Sequence, residues 1–447
     1  MSNENLNRRD FIQRTTMAGV GLSVLPFNIV KGRDDRKVRI GIIAVGDRGM
    51  AHMRNLLDRD DVEIPAICDI NLQNIDTALK TIREAGKSEP DVYSDGEFAY
   101  EKLNERDDLD GVVISTPWKW HERQAVDAME KGKYAGVEIP GALTTEGCWN
   151  LVRTYEKTGV PLMLLENACY LRDTLAILKM VRQGLFGEVI HARCGYRHML
   201  YDYLLDENLQ FGPGTGTVST WRTKHYLNRN GDLYPNHGVG PVSHWLDIDR
   251  GNRFLTLAST ATKARGMDEY IRSRGGTDHP NAHLNWVCGD IVTSTLTTAR
   301  GESVIVTHDT TLPRPHSLDL QIHGTKGLWN GEFNSILIDG RGEKEQWDRF
   351  DHYQKEYDSE LWKVHGERAE RTGHGGIDYF IMHGFVESIK NKAQTPIDVY
   401  DAATWSVISP LSEKSIAMGG QPVKFPDFTH GKWMHNKPVF LPEELGY

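Results

Sequence analysis

The sequence predicts an α/β fold: a doubly wound, Rossmann-type parallel sheet at the N-terminus, followed by an α+β region with a largely antiparallel, open sheet. The first sheet is predicted because short apolar, β-branched runs alternate with helical segments up to residue 166, and a glycine-rich turn follows the first run. The second sheet is predicted because later strand candidates follow one another with few helices between them. We therefore expect domains at residues 36–166 and 167–447, behind an appended segment at residues 1–34.

Composition excludes several classes of protein. The 447 residues are 39% hydrophobic and 26% charged, as in ordinary water-soluble globular chains. A formal net charge of −10 argues against nucleic acid as a partner. No apolar run reaches the roughly 18–20 residues of a membrane span. The five cysteines form no Cys-x-x-Cys pair and no His-Glu-x-x-His motif occurs, so neither a disulfide scaffold nor a metal site is expected.

The chain opens with a segment typical of an export signal. Arg8 and Arg9 precede a weakly apolar, uncharged stretch over residues 15–30. This pattern is that of a twin-arginine signal, which directs proteins across a membrane already folded. We therefore predict an exported, periplasmic protein in which residues 1–34 are not part of the fold; the alternative is a basic tail with no targeting role.

The glycine-rich turn after the first predicted strand indicates a dinucleotide site. Ala44-Val45-Gly46-Asp47-Arg48-Gly49 matches G-x-G-x-x-G except that Ala44 holds the first place. The glycines of this motif let the backbone approach a pyrophosphate, whose charge the following helix N-terminus stabilises. Asp69 ends the next strand, about twenty residues on, where an acidic side chain holds the ribose of NAD and disfavours NADP. We predict NAD; the alternative is an ordinary α/β turn.

Polar side chains also follow the other strands of this predicted sheet. Ligands of doubly wound sheets collect beyond the carboxyl ends of the strands, so these side chains are candidates for one common site. They are Arg48, Asp69, His121, Glu138, Glu166 and Asn167.

A polar cluster in the second half of the chain has the residue types that sugar chemistry needs. Arg222 follows a tryptophan, and Tyr234-Pro235-Asn236-His237 leads into a predicted helix. Arginine can bind sugar hydroxyls, aromatic rings can cover a sugar face, and tyrosine or histidine can exchange protons. The alternative is that Tyr234 and His237 only satisfy the loop backbone.

These motifs resemble one group of enzymes. Thr116-Pro117-x-x-x-His121 and Glu138-x-Pro140, with the two-domain plan, resemble the glucose–fructose oxidoreductase and inositol dehydrogenase superfamily (Gfo/Idh/MocA). A narrower set of motifs is similar to glycoside hydrolase family 109 and extends over nearly the whole chain beyond the signal. That set is 44–49, 118–121, 165–170, 194–196, 221–222, 232–237, 313–317 and 373–378.

The resemblance implies an NAD-dependent α-N-acetylgalactosaminidase that acts on glycans with terminal N-acetylgalactosamine. NAD would be held by Arg48, Gly49, Asp69, Trp118, Lys119, Trp120, His121, Glu138, Ile139, Asn167 and Tyr234. The sugar would be bound by Glu166, Tyr196, Arg222, Tyr234, Pro235, Asn236, His237 and His316. Tyr196 is the leading acid/base candidate, with His237 and Tyr234 near the C3 hydroxyl. The superfamily's open sheet often pairs subunits, so a homo-oligomer is also expected.

Four positions depart from the patterns of these families. Ala44 replaces a glycine, Asn236 stands where family 109 usually has threonine, and His316 stands where it has a substrate-contacting tyrosine. Ile139 stands where the superfamily's dehydrogenases have a lysine that assists removal of the hydroxyl proton. The absence of this lysine argues against ordinary sugar dehydrogenation.

The predicted export and the resemblance to family 109 both indicate a reaction with no net change of redox state. An exported enzyme cannot exchange NADH with a cytosolic pool, so a bound nicotinamide must be restored in each turnover. The family's cycle does this: oxidation at C3, loss of the C2 proton with elimination of the aglycone, addition of water and reduction. Tyr196 would relay the C2 proton. The alternatives are a periplasmic sugar oxidoreductase of the same superfamily with tightly bound NAD(P), and a sugar-binding protein that retains NAD structurally.

Overall fold

The computed structural model describes residues 36–216 and 218–441, so the predicted signal at residues 1–34 lies outside the described residues. No helix in these two ranges is long and apolar enough to cross a membrane. The predicted fold class is confirmed, since a six-stranded parallel sheet precedes a nine-stranded, mostly antiparallel one.

The first sheet has the order β3-β2-β1-β4-β5-β6, in which every neighbouring pair is parallel. Its strands are β1 (Val38–Ile43), β2 (Val62–Cys68), β3 (Asp91–Tyr93), β4 (Gly111–Ile114), β5 (Tyr134–Val137) and β6 (Leu162–Leu164). The helices that follow the first five strands are α1 (Asp47–Leu57), α2 (Leu72–Glu84), α3 (Ala99–Asn104), α4 (His121–Glu130) and α5 (Thr145–Thr158). The strand order reverses between β1 and β4, which opens a crevice at the carboxyl ends of the central strands.

The second sheet has the order β14-β13-β12-β11-β7-β10-β9-β8-β15, and only β7 and β10 run parallel. Its strands are β7 (Val189–Arg197), β8 (Phe254–Ala261), β9 (Ile291–Thr298), β10 (Ser303–Asp309), β11 (Gln321–Gly324), β12 (Gly327–Asn330), β13 (Ser335–Ile338), β14 (Asp348–Arg349) and β15 (Val423–Lys424). Alternation of buried and exposed residues along β8 and β9 leaves one face of this sheet open, as predicted.

The remaining helices come after β6 in the chain; α6 links the two sheets, and the others lie between strands of the second sheet. They are α6 (Arg172–Arg182), α7 (Tyr201–Leu204), α8 (Thr223–Asn228), α9 (Asn236–Trp245), α10 (Gly266–Gly275), α11 (Phe350–Glu356), α12 (Glu360–Ala369), α13 (Ile377–Asn391), α14 (Val399–Ser406) and α15 (Ile408–Ala417). Helix α13 returns from the second sheet to the first, where Phe385 and Ile389 contact Gly111 of β4. Helix α9 packs on β7 and on the turn that follows β6. These two helices bring distant parts of the chain to the crevice.

The turn between β1 and α1 holds Ala44 in the left-handed backbone region, with a φ of 71°. A side chain costs roughly 1–2 kcal/mol in this conformation, whereas glycine adopts it freely but has more freedom in the unfolded chain. We therefore expect Ala44→Gly to raise the Tm by about 1–2 °C, measured by thermal unfolding. Ala44→Val, which adds a branched side chain at the same φ, should lower the Tm, and a lower Tm for Ala44→Gly would contradict this account.

Candidate functional site

A cavity of about 500 Å³ lies beyond the carboxyl ends of β1, β4, β5 and β6. Its far wall is formed by the end of β7, the start of α9 and the segments before α8 and after β10. Most of the predicted site residues meet here. Those that line the cavity are Arg48, Trp118, His121, Glu138, Ile139, Asn167, Tyr196, Arg222, Tyr234, His237 and His316.

Several predicted cofactor residues do not line this cavity. The Lys119 side chain is 62% exposed and pairs with Glu97 at 3.6 Å. Trp120 packs edge-on against Phe98, with ring centroids 5.6 Å apart. Both residues point away because they occupy successive positions of a tight helical turn, of which only Trp118 faces inward.

Gly49 and Asp69 shape the turn at the edge of the cavity. A Cβ on Gly49 would lie 1.9 Å from the carbonyl oxygen of Ala44, so only glycine lets the helix pack this closely on the turn. The Asp69 carboxylate accepts a hydrogen bond from the backbone N–H of Val45 at 2.9 Å. Helix α1 begins after Gly46, which has no side chain to cap it, and a helix N-terminus favours a bound anion.

Arg48 is the centre of a partly buried ionic network on the side of the cavity formed by the first sheet. Its Nε donates to Glu138 Oε1 at 2.8 Å, and His52 Nε2 lies 2.7 Å from the same oxygen. Burial alone would raise the pKa of Glu138, but Arg48 and His52 hold it well below its usual range. This side of the cavity therefore carries a positively charged Arg48 and an ionised Glu138, each held in place by the other.

Tyr196 and His237 are brought together by two glycines. A Cβ on Gly238 of α9 would lie 2.5 Å from the backbone nitrogen of Gly195 on β7, so the helix and strand meet at a distance that no other residue allows. The rings of Tyr196 and His237 consequently lie 5.3 Å apart. His237 Nδ1 is 2.7 Å from Oε1 of Glu166, a fully buried carboxylate that reaches the cavity only through this histidine.

Pro235 and Asn236 lie behind the cavity wall at the start of α9. Both are buried, and neither lines the cavity. The Asn236 side chain has no hydrogen-bond partner for either Oδ1 or Nδ2 among the residues that the structure describes. Their contribution is to begin the helix that positions His237.

Arg222 is a buried cation facing the cavity. Its guanidinium lies 4.3 Å from the ring centroid of Tyr234, and that ring stacks on Trp118 at 5.5 Å. Its Nε and Nη2 have no hydrogen-bond partner in the described ranges. Burial raises the pKa of Tyr196, and the positive charge of Arg222 opposes this rise. Arg222 can thus stabilise negative charge on Tyr196 or on a ligand.

Sequence reasoning missed His198. Its Nδ1 lies 3.1 Å from the Tyr196 hydroxyl, and its ring lies 4.8 Å from that of His316. Burial lowers the pKa of His198 to about 4, assisted by His316 and Arg222, so the imidazole is neutral at pH 7. His198 directly follows β7, and because side chains two positions apart in extended chain share a face, the Tyr-x-His spacing was a signal for this contact.

His374 also lines the cavity, although the sequence assigned no role to it. Its side chain is 57% exposed, and its Nδ1 lies 2.7 Å from Oδ2 of the buried Asp378. The carboxylate accepts from Nδ1–H and leaves Nε2 free to exchange a proton, as in a carboxylate–histidine pair. His374, Gly375 and Gly376 all have positive φ, which turns the loop towards the site.

His308 is a buried histidine near Arg222, and the pH dependence of the free energy of unfolding tests how this histidine is buried. Burial lowers its pKa to about 3, against about 6.5 in the unfolded chain. Below pH 6.5 the unfolded chain therefore binds a proton that the folded protein excludes, so His308 lowers the free energy of unfolding as the pH falls. We expect the stability advantage of wild type over His308→Gln to shrink by about 2 kcal/mol between pH 7 and pH 5, measured by urea unfolding.

The control for this prediction is His352→Gln, on the exposed surface of α11. This variant shows the effect of losing a surface imidazole, and the two differences from wild type are compared at each pH. A constant difference for His308→Gln would contradict the prediction.

The chain matches two family models. Residues 38–165 match the model of the oxidoreductase family with an NAD-binding Rossmann fold, and residues 170–435 match the model of the glycosyl hydrolase 109 C-terminal domain. The second model alone covers more than half of the chain.

Relatives align over almost the whole chain. An alpha-N-acetylgalactosaminidase of Tannerella forsythia is 44% identical over 97% of this chain and 99% of its own. A glycosyl hydrolase family 109 protein of Stenotrophomonas maltophilia is 44% identical over 97% of this chain and 98% of its own.

Solved structures with low sequence identity share the fold. One is myo-inositol dehydrogenase from Lactobacillus casei, solved with NAD(H) and myo-inositol, which has a TM-score of 0.59 at 15% identity and covers 88% of this chain and 97% of its own. An oxidoreductase domain protein from Kribbella flavida has a TM-score of 0.64 at 19% identity, over 88% of this chain and 100% of its own. With the family models and the relatives, the conclusion is that this chain belongs to glycoside hydrolase family 109 and carries the NAD-binding domain of the Gfo/Idh/MocA group.

Proposed function

We propose that this glycosidase releases terminal N-acetylgalactosamine, chiefly α-linked, from glycoconjugates, and that it retains NAD through each turnover with no net redox change. The observation that carries the proposal is the cavity itself. Arg48, Glu138 and Asn167, which would contact the dinucleotide, line it together with Tyr196 and His237, whose side chains can exchange protons. Family membership and the name of the Tannerella forsythia relative support the sugar.

The residues present fit NAD. Gly46 leaves open space beside the turn, since a Cβ there would meet only Asn74 Nδ2 at 3.6 Å. The uncapped start of α1 would hold the pyrophosphate, Asp69 the ribose, and Arg48, Glu138 and Asn167 the nicotinamide end. When bound, NAD supplies a hydride acceptor for C3 of the sugar and a donor for its return.

Tyr196 would carry the C2 proton. A ketone at C3 acidifies the hydrogen on C2, and a base must take that proton before the aglycone can leave by elimination. The Tyr196 hydroxyl is oriented by His198 at 3.1 Å and lies near the positive charge of Arg222. These neighbours hold the oxygen in place and favour its anionic form, which burial otherwise opposes.

His237 would exchange the proton of the C3 hydroxyl. Glu166 accepts a hydrogen bond from its Nδ1 at 2.7 Å, which fixes the ring and directs Nε2 towards the cavity. Tyr234 lies beside it, with ring centroids 5.1 Å apart. Burial keeps the Tyr234 hydroxyl protonated by raising its pKa, so Tyr234 acts as a hydrogen-bond donor.

His374 would protonate the leaving aglycone and later deprotonate the water that adds at C1. This assignment rests on its pairing with Asp378 and on its exposure, because the aglycone must leave through the open side of the cavity. A group that performs both steps must exchange protons with solvent, which the buried Tyr196 cannot do as readily.

One experiment tests the proposal. The mature protein is purified without added cofactor, bound dinucleotide is released by denaturation and quantified, and aryl α- and β-N-acetylgalactosaminides are assayed in H₂O and D₂O. We expect bound NAD, release of the aglycone, and deuterium at C2 of the product. Unlabelled product would exclude elimination, and a protein that hydrolyses equally well without dinucleotide would overturn the proposal.

The same experiment separates the proposal from a sugar oxidoreductase. Such an enzyme would exchange hydride between two sugars and release no aglycone. The position of Ile139 argues against it, because an apolar side chain lines the cavity where sugar dehydrogenases of this superfamily have lysine.

We also propose that the protein is exported through the twin-arginine route. Arg8 and Arg9, with the apolar stretch that follows, support this proposal. The test is fractionation of cells that produce the full chain or its Arg8→Lys, Arg9→Lys double variant. The full chain should reach the periplasm and the variant should remain in the cytoplasm; equal distribution would contradict export by this route.

A further inference from the structure

Asp378, at the start of α13, joins three segments that are distant in sequence. Its carboxylate accepts hydrogen bonds from Arg48 Nη1 at 2.9 Å, from Asn167 Nδ2 at 3.0 Å and from His374 Nδ1 at 2.7 Å. These partners lie on α1, on the turn after β6 and in the loop before α13. Asp378 itself is fully buried and does not line the cavity.

The charge of Asp378 is maintained by its partners. Burial alone would raise the pKa of this carboxyl, but the hydrogen bond from His374 and the charge of Arg48 hold it well below its usual range. An ionised carboxylate can only accept, so it fixes the direction of all three hydrogen bonds. The donors of Arg48 and Asn167 are thereby oriented before any ligand binds.

We propose that Asp378 is a positioning residue that couples the hold on NAD to the placement of His374. The inference rests on the proposed function, because it takes Arg48 and Asn167 as cofactor-binding groups. One carboxylate orients both of them and also orients the acid/base candidate His374, whose Nδ1 lies 3.2 Å from Arg48 Nη1. Loss of its charge should therefore weaken NAD binding and disturb proton transfer together.

A second ion pair between α1 and α13 offers a matched comparison. Arg59, just after α1, donates to Glu387 of α13 at 2.8 Å. This pair joins the segment just after α1 to α13 but touches none of the residues that line the cavity. If Asp378 served only to pack α13 onto the first sheet, removing either carboxylate would affect NAD binding alike.

The test compares Asp378→Asn with Glu387→Gln, each stripped of dinucleotide and titrated with NAD by calorimetry. We expect the Kd for NAD to rise at least tenfold in Asp378→Asn and to stay within twofold in Glu387→Gln. His374→Ala should also bind NAD within about threefold of wild type while hydrolysing alkyl glycosides about 10²–10³-fold more slowly. An unchanged Kd in Asp378→Asn, or an equal rise in both carboxylate variants, would overturn the inference.

Folding is checked by thermal unfolding of each variant with and without NAD, since a ligand that binds the folded state raises the Tm. Asp378→Ser is the second variant and should show the same loss of NAD affinity as Asp378→Asn. A wild-type protein that binds no NAD would refute the proposed function. If wild type binds NAD and an Asp378 variant binds it equally well, only the role of Asp378 is refuted.

Discussion

Tyr196→Phe is expected to lower kcat/KM for aryl N-acetylgalactosaminides by about 10³-fold, within the range for loss of a general acid–base group. The substitution removes only the hydroxyl and keeps the ring that packs against His237 and Tyr234. Without that oxygen, no group oriented by His198 and close to the charge of Arg222 can take the C2 proton. Steady-state rates, together with deuterium incorporation at C2 in D₂O, measure the effect.

The matched control is Tyr270→Phe, which removes a hydroxyl outside the cavity that hydrogen-bonds Asp202 at 3.1 Å. This variant should keep wild-type rates. Normal turnover and normal C2 labelling in Tyr196→Phe would refute the assignment, and His198 or His237 would then be the next residue to substitute.

His374→Ala should show a loss that depends on the leaving group. An aglycone with a basic oxygen needs a proton as it departs, so we expect a loss of about 10²–10³-fold for alkyl glycosides. A dinitrophenolate leaves without protonation, so its release should slow less than tenfold, and subsequent addition of water should become limiting. The measurement is the hydrolysis rate for a series of glycosides whose aglycones differ in pKa. We expect this rate to depend more steeply on the aglycone pKa in the variant than in wild type.

An exposed histidine provides the comparison for this series. His352→Ala, on α11 and outside the cavity, should reproduce the wild-type dependence on the aglycone. An equal loss for every leaving group in His374→Ala would show that His374 does not protonate the aglycone.

The fold was largely predictable because its signals are local. Buried parallel strands are continuous apolar runs, and β4 and β5 are such runs, each followed by a helix. The mostly antiparallel second sheet followed from the scarcity of helices between its strands. The return of α13 to the first sheet was not predictable, because nothing within residues 377–391 specifies which surface their apolar side chains cover.

The site was only partly predictable, for a related reason. Residues at strand ends, such as Arg48 and Glu138, meet because parallel strands share an edge, and sequence reasoning placed them together. His374 lines the same cavity from the far end of the chain, with Asp378 buried behind it, and this placement depends on the packing of α13. Lys119 shows what a motif leaves open: its position in the motif is near the cavity, but the helical turn directs its side chain to solvent.

Two donors of the Arg222 guanidinium, unpaired in the described part of the chain, would let the cavity discriminate between sugars. Its Nε and Nη2 find no acceptor among residues 36–216 and 218–441. A sugar with an oxygen near these atoms would accept their hydrogen bonds. A close analogue without that oxygen would exclude water from the guanidinium and leave its two donors unpaired. Leaving a buried donor without a partner costs more free energy than a formed hydrogen bond contributes. Selectivity would therefore come mainly from weaker binding of sugars that lack the acceptor oxygen.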